Sequence, residues 1–101
     1  MRRISIFGAT GSVGANGVDL LMQAGGADAF DVVALTGGRN IARLAQMARD
    51  LRADVAVTAH EELLDDLRAA LAGSGIEAAA GRQALLEAAA LALLDYIESS
   101  T

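Results

Sequence analysis

Ile4-Ser5-Ile6-Phe7-Gly8-Ala9-Thr10-Gly11-Ser12-Val13-Gly14 is the stretch whose reading decides the fold. Ile4 to Phe7 is a short β-branched and aromatic run ended by glycine, the mark of a strand. Ser12 to about Gln23 follows as a helix, with Val13, Leu20 and Leu21 expected on its inner side and Gly25-Gly26 as its stop. Between them lie three glycines, each with a physical reason. Gly8 lets the chain leave the strand in a tight turn. Gly11 removes a Cβ that would keep an anion from the backbone. Gly14 allows close packing of the helix. The N–H groups of Gly11, Ser12 and Val13 are expected to point at a pyrophosphate, helped by the helix dipole and by the Thr10 and Ser12 hydroxyls.

Working outward, strand and helix patterns keep alternating. Phe30 to Leu35 reads as a second strand closed by Thr36-Gly37-Gly38, and Ile41 to Leu51 as a second helix with Ile41, Leu44, Ala45, Ala48 and Leu51 at helical spacing. Asp54 to Val57 is a third short strand. Thr58-Ala59-His60-Glu61 has the spacing of a capping box before a helix to about Leu71. Ile76-Glu77-Ala78 is a weak fourth strand, and Arg82 to Ile97 a last helix. Such alternation predicts an α/β fold: a Rossmann-like parallel sheet of about four strands with helices on both faces.

Composition narrows the function classes. A hydrophobic fraction of 53% with 21% charged residues suits a globular domain and argues against disorder. The net charge of −5, with every basic residue an arginine, argues against nucleic acid as the main partner. Without cysteine there is no thiolate nucleophile, disulfide or zinc-thiolate site, which fits a reducing, cytoplasmic setting. The apolar run after Arg2-Arg3 is broken by Gly8 and Gly11 too soon for a signal peptide, and no later run approaches the roughly eighteen residues of a membrane helix. A soluble chain is expected.

The choice of nucleotide rests on the end of the second strand. An NAD site places an acidic residue there to accept from the ribose 2′-hydroxyl. Asp31 lies at the strand's beginning instead, and the carboxyl end reads Thr36-Gly37-Gly38-Arg39-Asn40. An arginine among small residues suits a 2′-phosphate, with Arg43 one turn further on adding charge. The alternative is that Gly38 is a turn and that Arg39 and Asn40 merely cap the second helix.

These two blocks, Ile4 to Gly14 and Val32-Val33-Ala34-Leu35-Thr36-Gly37-Gly38-Arg39-Asn40-Ile41, resemble the amino-terminal NADPH-binding domain of the 1-deoxy-D-xylulose 5-phosphate reductoisomerases. The likeness continues through Leu44, Arg52 to Val57 and Ile76-Glu77 with Gly81-Arg82, to about Ala89. The resemblance implies an NADPH-dependent rearrangement and reduction of 1-deoxy-D-xylulose 5-phosphate to 2-C-methyl-D-erythritol 4-phosphate, in non-mevalonate isoprenoid synthesis, with Mg²⁺ or Mn²⁺. It implies that Thr10, Gly11, Ser12 and Val13 hold the cofactor's phosphates in a cofactor-binding loop that includes Gly8 and Gly14, and that Gly38, Arg39 and Asn40 hold its 2′-phosphate end. The family's Asn-Lys-Glu segment and its metal-binding acids have no match in this sequence, so a chain that binds NADPH without reducing substrate is expected. The expected division is a domain over residues 1–89 and a helical tail over 90–101 that departs from the family. A catalytically silent nucleotide-binding or structural module, or a piece of another NADP-dependent reductase, are the alternatives.

Other chemistry-bearing residues read as surface. His60 has no nucleophile or second ligand nearby, and Glu61, Glu62, Asp65 and Asp66 read as a solvated helix face. Ser5 and Ser74 lack a general base. Tyr96 lacks the lysine four residues on that short-chain dehydrogenase chemistry needs. The stripe Leu86, Ala89, Leu93, Tyr96 and Ile97 suggests self-association through the last helix or an open sheet edge. The nucleotide reading makes a direct prediction. Arg39→Ala should weaken NADPH by about 1–3 kcal/mol, one to two orders of magnitude, and leave NADH nearly unchanged; equal losses for both in fluorescence titration would contradict it.

Overall fold

A computed structural model describes the backbone of residues 1–100 and the side chains of residues 1–98. Of the polar end Ser99-Ser100-Thr101 assigned to the tail, Thr101 and the side chains of Ser99 and Ser100 lie outside the described residues. The elements run β1 (Arg2–Ile6), α1 (Ser12–Gln23), β2 (Phe30–Gly37), α2 (Ile41–Leu51), β3 (Val55–Thr58), α3 (Leu64–Ala70), β4 (Glu77–Ala80) and α4 (Arg82–Ser100). Short 3₁₀ turns at Gly26–Asp28 and Glu61–Leu63 precede β2 and α3. The strands form one sheet in the order β1-β2-β3-β4, every pair parallel.

Parallel neighbours joined by right-handed crossovers place α1, α2 and α3 on a common face. The main core lies there. Leu35, Leu44, Leu51 and Leu67 are fully buried in it, each contributing about 1.5–3 kcal/mol relative to exposure. Asn40 caps α2 by accepting the Arg43 N–H at 3.2 Å, and Arg52 ends it in the left-handed region at φ 49°.

Because side chains alternate along a strand, Ala56 and Ala78 face this core while Val55, Val57 and Ala79 face the other way. Those three meet α4, whose Ala84 and Ala88 lie against them. Arg3 ties α4 to the sheet: its Nε donates to Asp95 Oδ1 at 3.0 Å and its Nη1 to Asp31 Oδ2 at 3.0 Å. The hydrogen bond and charge of Asp95 raise the pKa of Arg3 above its ordinary value. α4 turns small residues inward and leaves Leu86, Leu93 and Leu94 more than half exposed.

Several expectations need correction. Val13 and Leu20 do not face inward: they are 84% and 66% exposed, and the buried residue of α1 is Val18. The cause is Gly14. A Cβ there would sit 2.0 Å from the Gly8 carbonyl oxygen, so only glycine can occupy the position that faces the loop, and the helix rotates accordingly. The residues four and seven beyond it, Val18 and Leu21, turn inward, and Val13 and Leu20 turn out. Thr58 is no helix cap either. It lies in β3, fully buried, and the helical region begins only at Glu61.

Gly14 therefore gives a sharp test against Gly17, where a Cβ would meet nothing within 4 Å. Gly14→Ala should cost about 3 kcal/mol and lower Tm by roughly 12–24 °C. Gly17→Ala should raise stability by about 0.5–1 kcal/mol. Similar melting curves for the two variants would contradict the packing described.

Candidate functional site

The carboxyl ends of β1, β2 and β3 build the site, and the loop after β1 is its centre. Gly8 takes φ +69°, a backbone shape that side chains disfavour, and reverses the chain. β2 holds the loop with one residue: the Gly8 N–H donates to Thr36 Oγ1 at 3.0 Å and the Ala9 N–H to the Thr36 carbonyl at 2.8 Å. The Gly11 N–H donates to the Gly8 carbonyl at 3.0 Å, closing the turn. This corrects the expectation that the Gly11 amide faces a ligand; it is spent within the loop.

α1 then starts without a cap. Its N-cap residue is Gly11, no side chain accepts a hydrogen bond from its first turn, and that turn carries no acid. The internal ladder begins with the Ala15 N–H on the Gly11 carbonyl at 2.8 Å. Among the described residues the N–H groups of Ser12, Val13 and Gly14 have no protein partner. Three unpartnered amides on the positive end of a twelve-residue helix attract an anion, by hydrogen bonding and by the dipole together. Exposed Val13 and Phe7 flank them.

The second half of the site lies beside the first. A Cβ on Gly37 would approach Thr10 Oγ1 to 3.2 Å and Leu44 to 3.4 Å, so the end of β2 and the glycine loop are in close contact. Beyond Gly37 the chain turns through Gly38, Arg39 and Asn40. The Asn40 carboxamide oxygen is engaged in capping α2, and the Arg39 carbonyl accepts the Ile41 N–H at 2.9 Å. The Arg39 side chain is exposed, and among the described residues no carboxylate pairs with Arg39 or Arg43. Asp31 sits at the opposite end of β2, paired with Arg3. The carboxyl end of β2 thus offers positive charge and no acid.

Thr36, Gly37 and Thr58 were not read as site residues from the sequence. Thr36 and Thr58 are the buried polar residues of the sheet. The signal for them was a hydroxyl at the carboxyl end of an otherwise apolar strand, read instead as turn and cap. Elsewhere, His60 Nδ1 lies 3.4 Å from Glu62 and Arg68 3.5 Å from Asp65, both on the surface. Among the described residues no group of three or more His, Cys, Asp or Glu side chains could hold a metal ion. No helix among them is long and apolar enough to cross a membrane.

Comparison with known proteins follows the same line. A family model described as 1-deoxy-D-xylulose 5-phosphate reductoisomerase matches residues 4–100. The enzyme of that name from Paracoccus denitrificans is 72% identical over 90 residues, covering 89% of this chain and 23% of the relative. That of Jannaschia sp. is 69% identical over 88 residues, covering 87% of this chain and 22% of the relative. The solved reductoisomerase of Zymomonas mobilis in complex with NADPH superposes with a TM-score of 0.83 at 46% identity, over 87% of this chain and 23% of that one. This chain therefore spans about a quarter of the length of the relatives it matches. With its glycine loop, parallel sheet and sequence all matching, the chain belongs to the 1-deoxy-D-xylulose 5-phosphate reductoisomerase family.

Proposed function

We propose that this chain is the NADPH-binding part of a 1-deoxy-D-xylulose 5-phosphate reductoisomerase, contributing the cofactor to the NADPH-dependent rearrangement and reduction of that substrate. The observation that carries the reading is the uncapped start of α1, where Ser12, Val13 and Gly14 present unpartnered amides next to a turn that bears Arg39 and no acid. In the proposed complex Gly8, Thr10, Gly11, Ser12, Val13 and Gly14 surround the pyrophosphate, with Gly8 and Gly11 shaping the loop. Gly38, Arg39 and Asn40 surround the 2′-phosphate, Asn40 through its free amide nitrogen. Hydrogen bonds to charged groups contribute about 1.5–3 kcal/mol each, so a few suffice for micromolar affinity.

NADPH when bound supplies the hydride; the chain's own residues bind and orient it. The strand order runs one way from β1 to β4, so the reversal that opens a nucleotide crevice in doubly wound sheets would fall on the free side of β1. The Mg²⁺ or Mn²⁺ of the family finds no donor set among the described residues. The proposed binding domain is residues 1–89, with residues 90–100 continuing the last helix, and the proposed setting is the cytoplasm. Self-association through α4 belongs to the same reading and is supported by the outward Leu86, Leu93 and Leu94.

Titration of the chain with NADPH, followed by cofactor fluorescence, should saturate in the micromolar range, with NADH at least about tenfold weaker. No saturation with either nucleotide would overturn the assignment. Sedimentation velocity should show a dimer growing in across micromolar concentrations; a monomer throughout would remove the self-association.

A further inference from the structure

The structure assigns to Thr58 the role of positioning residue for selection of the cofactor's 2′-phosphate, a role that rests on the NADPH reading above. β2 ends at Gly37, the turn opens with a second glycine, Gly38, and a Cβ on Gly38 would meet nothing within 4 Å. No side chain of its own can fix Gly38, and glycine backbone has more freedom to lose than any other. Yet Arg39, the next residue, must present its guanidinium at one place to discriminate a phosphate from a hydroxyl.

β3 supplies the missing constraint. The ladder between β2 and β3 ends at the pair Gly37 and Thr58, and the Ala59 N–H donates to the Gly37 carbonyl at 3.0 Å. One residue further on there is no backbone pairing. There the Thr58 hydroxyl donates to the Gly38 carbonyl at 2.8 Å and accepts the His60 N–H at 3.2 Å. Thr58 is fully buried, so its hydroxyl faces these groups without competition from solvent. On the other side of Arg39, Asn40 is fixed by its cap on α2. Arg39 is thus held between two anchored neighbours while its own exposed side chain has no ion-pair partner among the described residues. Its placement comes from the backbone, and the backbone is held by Thr58.

The consequence is selective. The glycine loop that receives the pyrophosphate hangs on Thr36, not on Thr58. Loss of the Thr58 hydroxyl should loosen the Arg39 turn and leave the pyrophosphate loop intact. Replacement by Val keeps the shape and removes the donor, leaving the Gly38 carbonyl without its partner.

The experiment compares the full chain with Thr58→Val and Thr58→Ser, measuring Kd for NADPH and for NADH. Thr58→Val should weaken NADPH about tenfold with NADH unchanged, while Thr58→Ser, which keeps the hydroxyl, should stay within about twofold of the parent for both. In the cofactor-free chains, amide hydrogen exchange at Ala59, whose N–H is bonded to the Gly37 carbonyl, should speed up in Thr58→Val only. Should Thr58→Val not fold, Thr58→Ser against Thr58→Ala isolates the same hydroxyl. Equal losses for both nucleotides, or an unchanged ratio in a parent that does bind, overturn the role of Thr58 alone. A parent that binds neither nucleotide overturns the cofactor reading, and the selective role with it.

Discussion

The contact between Gly14 and the carbonyl of Gly8 is the constraint on which the rest of the site depends. With no Cβ in the way, the first turn of α1 settles directly on the loop that leads into it. That closeness is possible only because Thr36 draws the loop against β2 with two hydrogen bonds. Together these fix the helix start beside the end of β2, where Thr10 touches Gly37. The same contact sets the rotation of α1, sending Val18 inward and Val13 outward. A core decision and a binding decision are therefore one decision, taken at one glycine.

Charge is sorted along the strands in a way that suits an anionic ligand. The chain carries a net charge of −5, yet the carboxyl ends of β1 and β2 hold no acid, and the carboxylates near the sheet lie elsewhere. Asp31 and Asp95 are tied to Arg3 at the amino end of β1, and the acids of the α3 region lie beyond β3. Field at a site depends on the local arrangement of charges and dipoles rather than on the sum, particularly when the nearest dipoles belong to a helix terminus. An acidic protein can thus bind a polyanion through unpartnered amides and an arginine without being basic.

Much of this was legible in the sequence. The glycine spacing, the alternation of strand and helix, and Arg39 in place of an acid all follow from local chemistry, and α1 and α2 span Ser12–Gln23 and Ile41–Leu51 as read from periodicity. What was not legible depends on contacts between distant residues. Nothing near Val13 or Leu20 says which way they point, because the helix's rotation is decided by Gly14 meeting Gly8. The Gly11 amide looked free because its partner, the Gly8 carbonyl, appears only when the turn closes. Thr58 matched a capping box by spacing, but its hydroxyl reaches twenty residues back to Gly38, a bond that exists only once β2 and β3 pair. The apolar stripe read on α4 lies outward rather than on the sheet, because the small residues opposite it pack inward and Arg3 and Asp95 orient the helix.

That the amides at the start of α1 receive the cofactor's pyrophosphate is tested most directly by following backbone amide resonances of the ¹⁵N-labelled chain as NADPH is added. The Ser12, Val13 and Gly14 amides should show the largest shifts, moving as hydrogen bonds to phosphate form, while the Gly11 amide, already bonded to Gly8, moves less. Saturable binding that leaves those three resonances in place and perturbs another surface would contradict it.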